Sequence, residues 1–211
     1  MKITILTDNP KSWIIPHIEE LKTKLKNHNI THIFNSKEIK KGDLMLILSC
    51  EKILNNSHLS YHESNVVVHP SKLPLGKGWS PVAWQILEGS NKIPVSLFEA
   101  NEKVDAGEVY ILDYIELEGS ELNEEIKLKQ GVKTIEMVMK YINNFKSIEG
   151  IPQSSKETFY AKRSALDSEI DINKTLNEQF NLLRVIDNER YPAFFIKEGK
   201  KYVLKIYNEN E

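Results

Sequence analysis

The sequence predicts an α/β fold: an open, mostly parallel sheet with helices on both faces, followed by a small C-terminal α+β subdomain. Three observations predict it. Leu44–Leu48 (Leu-Met-Leu-Ile-Leu) is an uninterrupted apolar run bounded by Gly42-Asp43 and Ser49. Asn65–His69 carries three consecutive valines. Short runs without a polar face are the mark of strands covered on both sides, as in parallel sheets. Ahead of them, a strand, an amphipathic helix and a second strand follow one another, the order of a sheet built from crossover units.

Taken in order, Lys2–Thr7 reads as a first buried strand, and Asp8-Asn9-Pro10 as a break that can cap a helix. Ile14, Ile18, Leu21 and Leu25 recur at helical spacing, so a helix is expected over Lys11–His28. Ile30–Phe34 is a second short strand. After His69 the chain is punctuated by Pro70, Pro74, Gly76, Gly78 and Pro81, which reads as a shaped loop. Val82–Leu87 starts a helix that stops near Gly89. Ile93–Ala100 and Val109–Leu117 read as strands flanking the turn Glu102–Gly107. Leu122, Ile126, Val132, Ile135, Val138, Ile142 and Phe145 mark a long helix, with Gly131 an anomaly inside it. Gly150-Ile151-Pro152-Gln153-Ser154-Ser155 is the linker candidate, dividing a domain over 1–149 from a subdomain over 150–211. That subdomain is expected to hold a helix over Thr175–Val185 and a hairpin of Ala193–Ile196 and Tyr202–Tyr207 about Lys197-Glu198-Gly199-Lys200. A piece of this size is marginal alone and is expected to lean on the first domain.

Composition narrows the function classes. The chain has 211 residues, 40% of them hydrophobic, enough for one good core and a small appendage. Lys and Arg number 28 against 30 Asp and Glu, a net charge of -2; the basic excess expected of a nucleic-acid-binding domain is not visible. The histidines at 17, 28, 32, 58, 62 and 69 form no metal-ligand spacing, and no metal is expected. The lone Cys50 excludes an intrachain disulfide and reads as a small buried hydrophobe rather than a reactive thiol. The N-terminal apolar run is too short for a signal peptide, and nothing approaches a membrane span. A soluble, cytoplasmic protein is expected.

Two segments stand out for chemistry. His69 lies at the C-terminal end of a buried parallel strand, followed by Pro70-Ser71-Lys72-Leu73-Pro74-Leu75-Gly76-Lys77-Gly78-Trp79-Ser80-Pro81. Open α/β sheets bind ligands at that edge. Position alone leaves two readings, a functional imidazole or one that satisfies a loop carbonyl. The second segment is Glu99–Tyr110, with Asp105-Ala106-Gly107 at its centre; taken alone, an Asp there is more often a turn former than a catalyst.

Together the two segments resemble the folate-dependent formyltransferases, the group that includes the methionyl-tRNA and glycinamide ribonucleotide formyltransferases. The pattern is carried by His69, Ser71, Leu73-Pro74, Lys77-Gly78, Pro81, Trp84, Gly89 and Asp105-Ala106-Gly107. A weaker likeness returns near Ile170–Phe195, including Arg190-Tyr191-Pro192. The resemblance implies a Rossmann-like formyltransferase fold and N10-formyltetrahydrofolate as formyl donor. It implies His69 and Asp105 as the catalytic pair, the imidazole donating to the developing oxyanion and the carboxylate orienting it. The folate slot would be formed by Ser49, Lys52, Ile53 and Leu54, with Glu102 and Val104 as its other wall.

The loop style and chain size are similar to the sugar N-formyltransferases of the pseudaminic-acid pathway. The expected acceptor is therefore the amine of a nucleotide-linked sugar, specifically a UDP-4-amino-4,6-dideoxy-N-acetylhexosamine of the AltNAc type. Ser71, Lys77, Trp79, Arg190 and Tyr191 are the candidates for binding it: Trp79 by stacking, Lys77 through a diphosphate. One departure is Val67, where the family carries an asparagine that polarises the formyl oxygen. It leaves open an active branch that relies on His69, Asp105 and backbone donors, or an inactive folate- or nucleotide-binding homologue. A methionyl-tRNA formyltransferase is the other alternative, disfavoured by the shorter chain and the charge balance. Oligomeric state is left open, a homodimer through the smaller subdomain being the arrangement considered.

Overall fold

The structure is a computed structural model and describes residues 1–209. Its centre is a six-stranded sheet in the order β2-β1-β3-β4-β6-β7. The strands are β1 (Lys2–Leu6), β2 (Asn29–Ile33), β3 (Leu44–Ile47), β4 (Ser64–His69), β6 (Lys92–Glu99) and β7 (Val109–Glu116). A two-residue strand, β5 (Lys77–Gly78), lies outside it. The pairs β1–β2, β1–β3 and β3–β4 are parallel, whereas β4–β6 and β6–β7 are antiparallel. Only β6 therefore runs against the other five, so the sheet is mostly parallel, as expected. The helices are α1 (Ile15–Lys24), α2 (Asn56–Leu59), α3 (Pro81–Leu87), α4 (Asn123–Asn143) and, beyond the two-residue β8 (Phe159–Tyr160), α5 (Phe180–Val185).

Strand alternation splits the core in two. Ile3, Ile5, Leu44, Leu46 and Val66 face α1, α3 and α4, which contribute Ile18, Leu21, Val82, Ile86, Ile135 and Val138. Leu6, Met45 and Ile47 face the other way and are covered by Ile39, Leu54 and the short α2 through Leu59. The long helices thus all lie on one face. The other is covered thinly, mostly by loops, and that leaves room for a cleft.

Gly131, the anomaly in the long helix, has a packing reason. A Cβ there would stand 2.2 Å from the His17 ring, so only glycine lets α1 and α4 close on each other. The first helix is shorter than expected. It begins at Ile15, with Pro16 in its first turn and no side-chain cap, so the expected capping break Asp8-Asn9-Pro10 lies well ahead of it.

The linker expectation changes most. Ile151 forms an antiparallel bridge with Val109, with both N–H···O bonds at 2.9 Å. The chain then runs back across the loop after β4, where β8 pairs with β5 in parallel register. Residues 150–160 are docked backbone rather than a free connection. The remaining C-terminal part holds a small core of Ile170, Leu183, Ile186 and Ala193. Its hairpin joins β9 (Ala193–Lys197) to β10 (Lys200–Leu204) through Glu198-Gly199, both at positive φ. Of the helix expected over Thr175–Val185 only α5 forms. The Gln179 side chain bonds the backbone of Asp171 and holds the preceding residues in turns.

Arg184, on α5, is 1% exposed and ties this part to the main sheet's periphery. Its guanidinium donates to the Glu121 main-chain oxygen at 3.0 Å, to Asn91 at 2.9 Å and to the Glu121 carboxylate at 3.3 Å. Burial pushes the Glu121 carboxyl up. The Lys129 ammonium at 2.6 Å and the N–H groups of Glu118 and Gly119 outweigh it and hold the carboxyl at about 2.

Candidate active site

The order of the sheet reverses at β1: one crossover goes outward to β2 and the next inward to β3. Crevices open at such points beyond the carboxyl ends of the strands, and one does here. A cleft of about 640 Å³ is lined by the segments that follow β1, β3 and β4, by the turn after β6, and by parts of α3, α4 and the chain after α5.

His69 ends β4 and is 7% exposed. Its Nε2 donates to the Gly76 carbonyl at 2.9 Å, and its Nδ1 stands 3.8 Å from the Asp105 carboxylate. The carbonyl can only accept, so a neutral imidazole carries its proton on Nε2. Nδ1 is then the nitrogen left to gain or lose one. The reading of His69 as satisfying a loop carbonyl thus holds for Nε2, while Nδ1 stays turned toward Asp105. The Asp105 carboxylate is itself fixed by the Gly78 N–H at 2.9 Å.

The turn that carries Asp105 is tightly determined. Asp105 sits at φ +49°. A Cβ on Gly107 would lie 1.7 Å from the Glu99 carbonyl oxygen, so only glycine permits this closure. From the docked segment after β7, the Gln153 side-chain amide donates to the main-chain oxygens of Asp105 and Gly107 at 3.0 and 2.8 Å. Sequence reasoning placed Gln153 in a linker and missed this role.

The loop after β3 is built the same way. Ser49 sits at φ +55°, and its hydroxyl meets that of Ser12 at 2.8 Å. Asp8 accepts from the N–H groups of Glu51 and Lys52 at 2.8 and 2.9 Å. The Asp8 carboxylate thus shapes the neighbouring loop and does not cap α1. Cys50 donates to the Leu6 carbonyl, and burial pushes its thiol up to about 12, in keeping with an inert packing residue. Outside the hairpin turn, the non-glycine residues at positive φ are Ser49, Ser80 and Asp105, and all line the cleft. Sparse backbone conformations gather where structure is arranged for function.

The cleft lies across the carboxyl edge of the sheet, so its lining comes from both faces and falls into two parts, here called lobes. One, on the thinly covered face, is apolar: Ile47, Leu54, Val67, Phe98, Ala100 and Val104. The other, on the helical face, is lined by Trp13, Ala83, Ile126, Gln130 and Arg190, among others. His69 and Asp105 belong to the same lining.

Of the sequence-expected residues, Ser49, Lys52, Ile53, Leu54, Val104, Trp79 and Arg190 line the cleft together with His69 and Asp105. Others do not. Lys77, expected at a diphosphate, is 3% exposed and ion-paired with Glu157 at 2.6 Å beneath β8. Ser71 is 2% exposed, and its carbonyl accepts from Ser96. Tyr191 is held at the main chain by Asp187 and Ser168 and is outside the lining. Glu102 is exposed on the outside of its turn. Trp79 is partly covered by the Lys162 ammonium, 4.2 Å from its ring, and Lys162 also pairs with Glu51 at 3.1 Å. Among the described residues no cluster of side chains could hold a metal ion, and no helix is long and apolar enough to cross a membrane.

A family profile described as formyl transferase matches residues 18–139, more than half of the chain and the span that holds His69 and Asp105. The chain belongs to the formyl transferase family. Among curated relatives, the methionyl-tRNA formyltransferase of Malacoplasma penetrans is 25% identical over 179 residues, covering 82% of this chain and 56% of the relative. The chain spans about half the length of the curated formyltransferases it matches first. Among solved structures, the methionyl-tRNA formyltransferase from Clostridium thermocellum superposes with a TM-score of 0.83 at 23% identity, over 100% of this chain and 94% of that one. A 4-N formyltransferase from Francisella tularensis gives 0.74 at 21%, over 99% and 98%. HypX from Aquifex aeolicus, in complex with tetrahydrofolic acid, gives 0.79 at 18%, over 98% and 37%. These likenesses establish that the formyl transferase fold runs the length of the chain.

Proposed function

We propose that this formyl transferase is an N-formyltransferase that takes its formyl group from N10-formyltetrahydrofolate and passes it to the amine of a nucleotide-linked amino sugar. The observation that carries the reading is the His69–Asp105 pair, 3.8 Å apart at the rim between two lobes of one cleft. A two-substrate transfer needs its reacting groups to meet at one point, with a proton carrier beside it.

The apolar lobe fits a reduced pterin. Leu54, Val67, Phe98 and Val104 make the kind of slot that holds a flat heterocycle, and main-chain groups of the loops after β3 and β6 supply its polar edge. Lys52 and Lys103, at the same lobe, suit the carboxylates of a glutamate tail. When bound, the folate supplies an activated formyl group on N10.

The chain's own residues do the rest. Gly76 fixes His69 through Nε2, so the ring cannot rotate away from the cleft. Nδ1, facing Asp105, is the atom that holds the proton given up by the acceptor amine. The carboxylate stabilises the imidazolium so formed; its Nδ1–H stands beside the charge growing on the formyl oxygen and then passes its proton to the nitrogen that gives up the formyl group. Val67 contributes no such donor. This puts the full polar load on His69 and on main-chain N–H groups.

Two observations support a small acceptor over tRNA. Acidic residues slightly outnumber basic ones, 30 to 28, and a sugar N-formyltransferase from Shewanella shares this fold over 98% of its own chain. Within this reading, a UDP-linked 4-amino-4,6-dideoxy-N-acetylhexosamine is the acceptor expected from the loop style. The curated relatives favour a second reading, formylation of methionyl-tRNA. Incubation with N10-formyltetrahydrofolate and a panel of UDP-, dTDP- and GDP-linked amino sugars, beside methionyl-tRNA, separates the two. Tetrahydrofolate released with a sugar acceptor supports the proposal. Release with methionyl-tRNA alone, with affinity falling steeply with salt, supports the second. Tight folate binding without turnover on any acceptor would mark an inactive homologue.

A further inference from the structure

The two lobes differ sharply in chemistry, and the difference assigns the second one. In the helical-face lobe, the indole N–H of Trp13 and the side-chain amides of Asn123 and Gln130 line the cavity without a hydrogen-bond partner among the described residues. Lys11 and Arg190 line it without a carboxylate in ion-pair reach. By contrast Lys127 is already satisfied, by Glu124 at 2.8 Å and Asp187 at 3.4 Å. The lobe therefore presents one flat aromatic face, two amides with no bond to the described residues, and two cations without a carboxylate partner, Arg190 also lying 5.6 Å from the Tyr191 ring.

Solvent-reachable polar groups that spend no bond on the protein are free to bond a ligand entering the cavity. Uncharged sugar would not use the cations. A purely apolar group would leave every one of these donors unpaired. A nucleoside diphosphate uses all of them: a base stacked on or edge-bonded to Trp13, amides for its base and ribose oxygens, and two cations for two phosphates.

We infer that the Trp13–Gln130–Arg190 wall binds the nucleoside diphosphate part of the acceptor, an assignment that rests on the nucleotide-sugar reading above. It replaces the role that the sequence suggests for Lys77, whose ammonium is buried against Glu157. It also explains the placement of His69. The sugar amine must reach Nδ1 from the helical face while the formyl group reaches it from the other, so donor and acceptor need not compete for one lobe.

The test is a titration of the full chain, saturated with tetrahydrofolate, with UDP, dTDP and GDP, in wild type and in Trp13→Leu, Arg190→Ser and Trp79→Leu. Arg190 is exposed, so its replacement keeps the fold even where Trp13→Leu loosens α1. Wild type binds at least one nucleotide, and Trp13→Leu and Arg190→Ser each weaken it about 10-fold, the scale of a lost stacking or phosphate contact. Tetrahydrofolate affinity stays at the wild-type value in both. Nucleotide binding unchanged in these two variants but lost in Trp79→Leu overturns the assignment and leaves the nucleotide-sugar reading standing. Wild type that binds none of the three nucleotides overturns both.

Discussion

Gln153 donates through its side-chain amide to the main-chain oxygens of Asp105 and Gly107, at 3.0 and 2.8 Å. A residue beyond the main sheet thereby holds both ends of the turn that aims the carboxylate at His69. Its own side-chain oxygen is buried with no partner, so the amide N–H pair is what the site uses. Gln153→Leu keeps the shape and removes only those donors. Two neutral hydrogen bonds contribute on the order of 1 kcal/mol each, about 2 kcal/mol together, so kcat is expected to fall by up to about 30-fold with the folate Kd little changed. Steady-state kinetics alongside folate titration checks this. An equal loss in folate affinity would point to general loosening instead.

Gly107 should tolerate nothing larger. A methyl group placed 1.7 Å from the Glu99 oxygen forces the turn open. Gly107→Ala is expected to cost about 3 kcal/mol or more, the range of core overpacking, and to remove activity. Urea unfolding measures the first and an end-point formylation assay the second.

Asp8 is expected to act on one substrate only. Asp8→Ala frees the Glu51 and Lys52 N–H groups, and the loop after β3 loses its shape. The folate Kd should rise about 10-fold, the equivalent of one charge-assisted bond at about 1.5 kcal/mol. The acceptor KM should stay near wild type. Isothermal titration with tetrahydrofolate gives the answer.

Low pH should undock the C-terminal part. Glu121 is held at about 2 in the folded chain, against about 4.5 unfolded. A depressed carboxyl stabilises the fold above its unfolded value, and that stability is lost as pH falls toward the folded one. The contribution is about 3 kcal/mol at neutral pH and drains between roughly pH 4.5 and pH 2. Urea midpoints of wild type and Glu121→Gln should differ at pH 7 and converge near pH 2. A constant gap across that range would show that the Lys129 and Arg184 contacts carry no net electrostatic weight.

Much of the sheet is legible in the sequence because its signals are local. The apolar run of β3 and the valines of β4 need nothing but their own composition to be read as covered strands, and His69 marks the end of one. Asp105 is legible only through likeness to a family, since an Asp-Ala-Gly turn is commonplace. What stays hidden is non-local. Asp8 reads as a cap until Glu51 and Lys52, more than forty residues away, are seen to donate to it. Lys77 reads as a phosphate ligand until β8 covers it. Gln153 and Trp13 carry no local signal: one sits in an apparent linker and the other at the start of an amphipathic helix. Each gains its role from what the sheet's edge brings beside it.

In the proposed mechanism His69 and Asp105 together carry the proton in formyl transfer. The most direct test compares wild type, His69→Ala and Asp105→Asn for tetrahydrofolate release from N10-formyltetrahydrofolate with the best sugar acceptor, after circular dichroism and folate titration show each variant folded and loaded. Each substitution should lower kcat by at least ~100-fold, the scale of lost acid–base assistance, and the double variant should be no worse than the more damaging single one. Near-wild-type turnover in either single variant would contradict that mechanism.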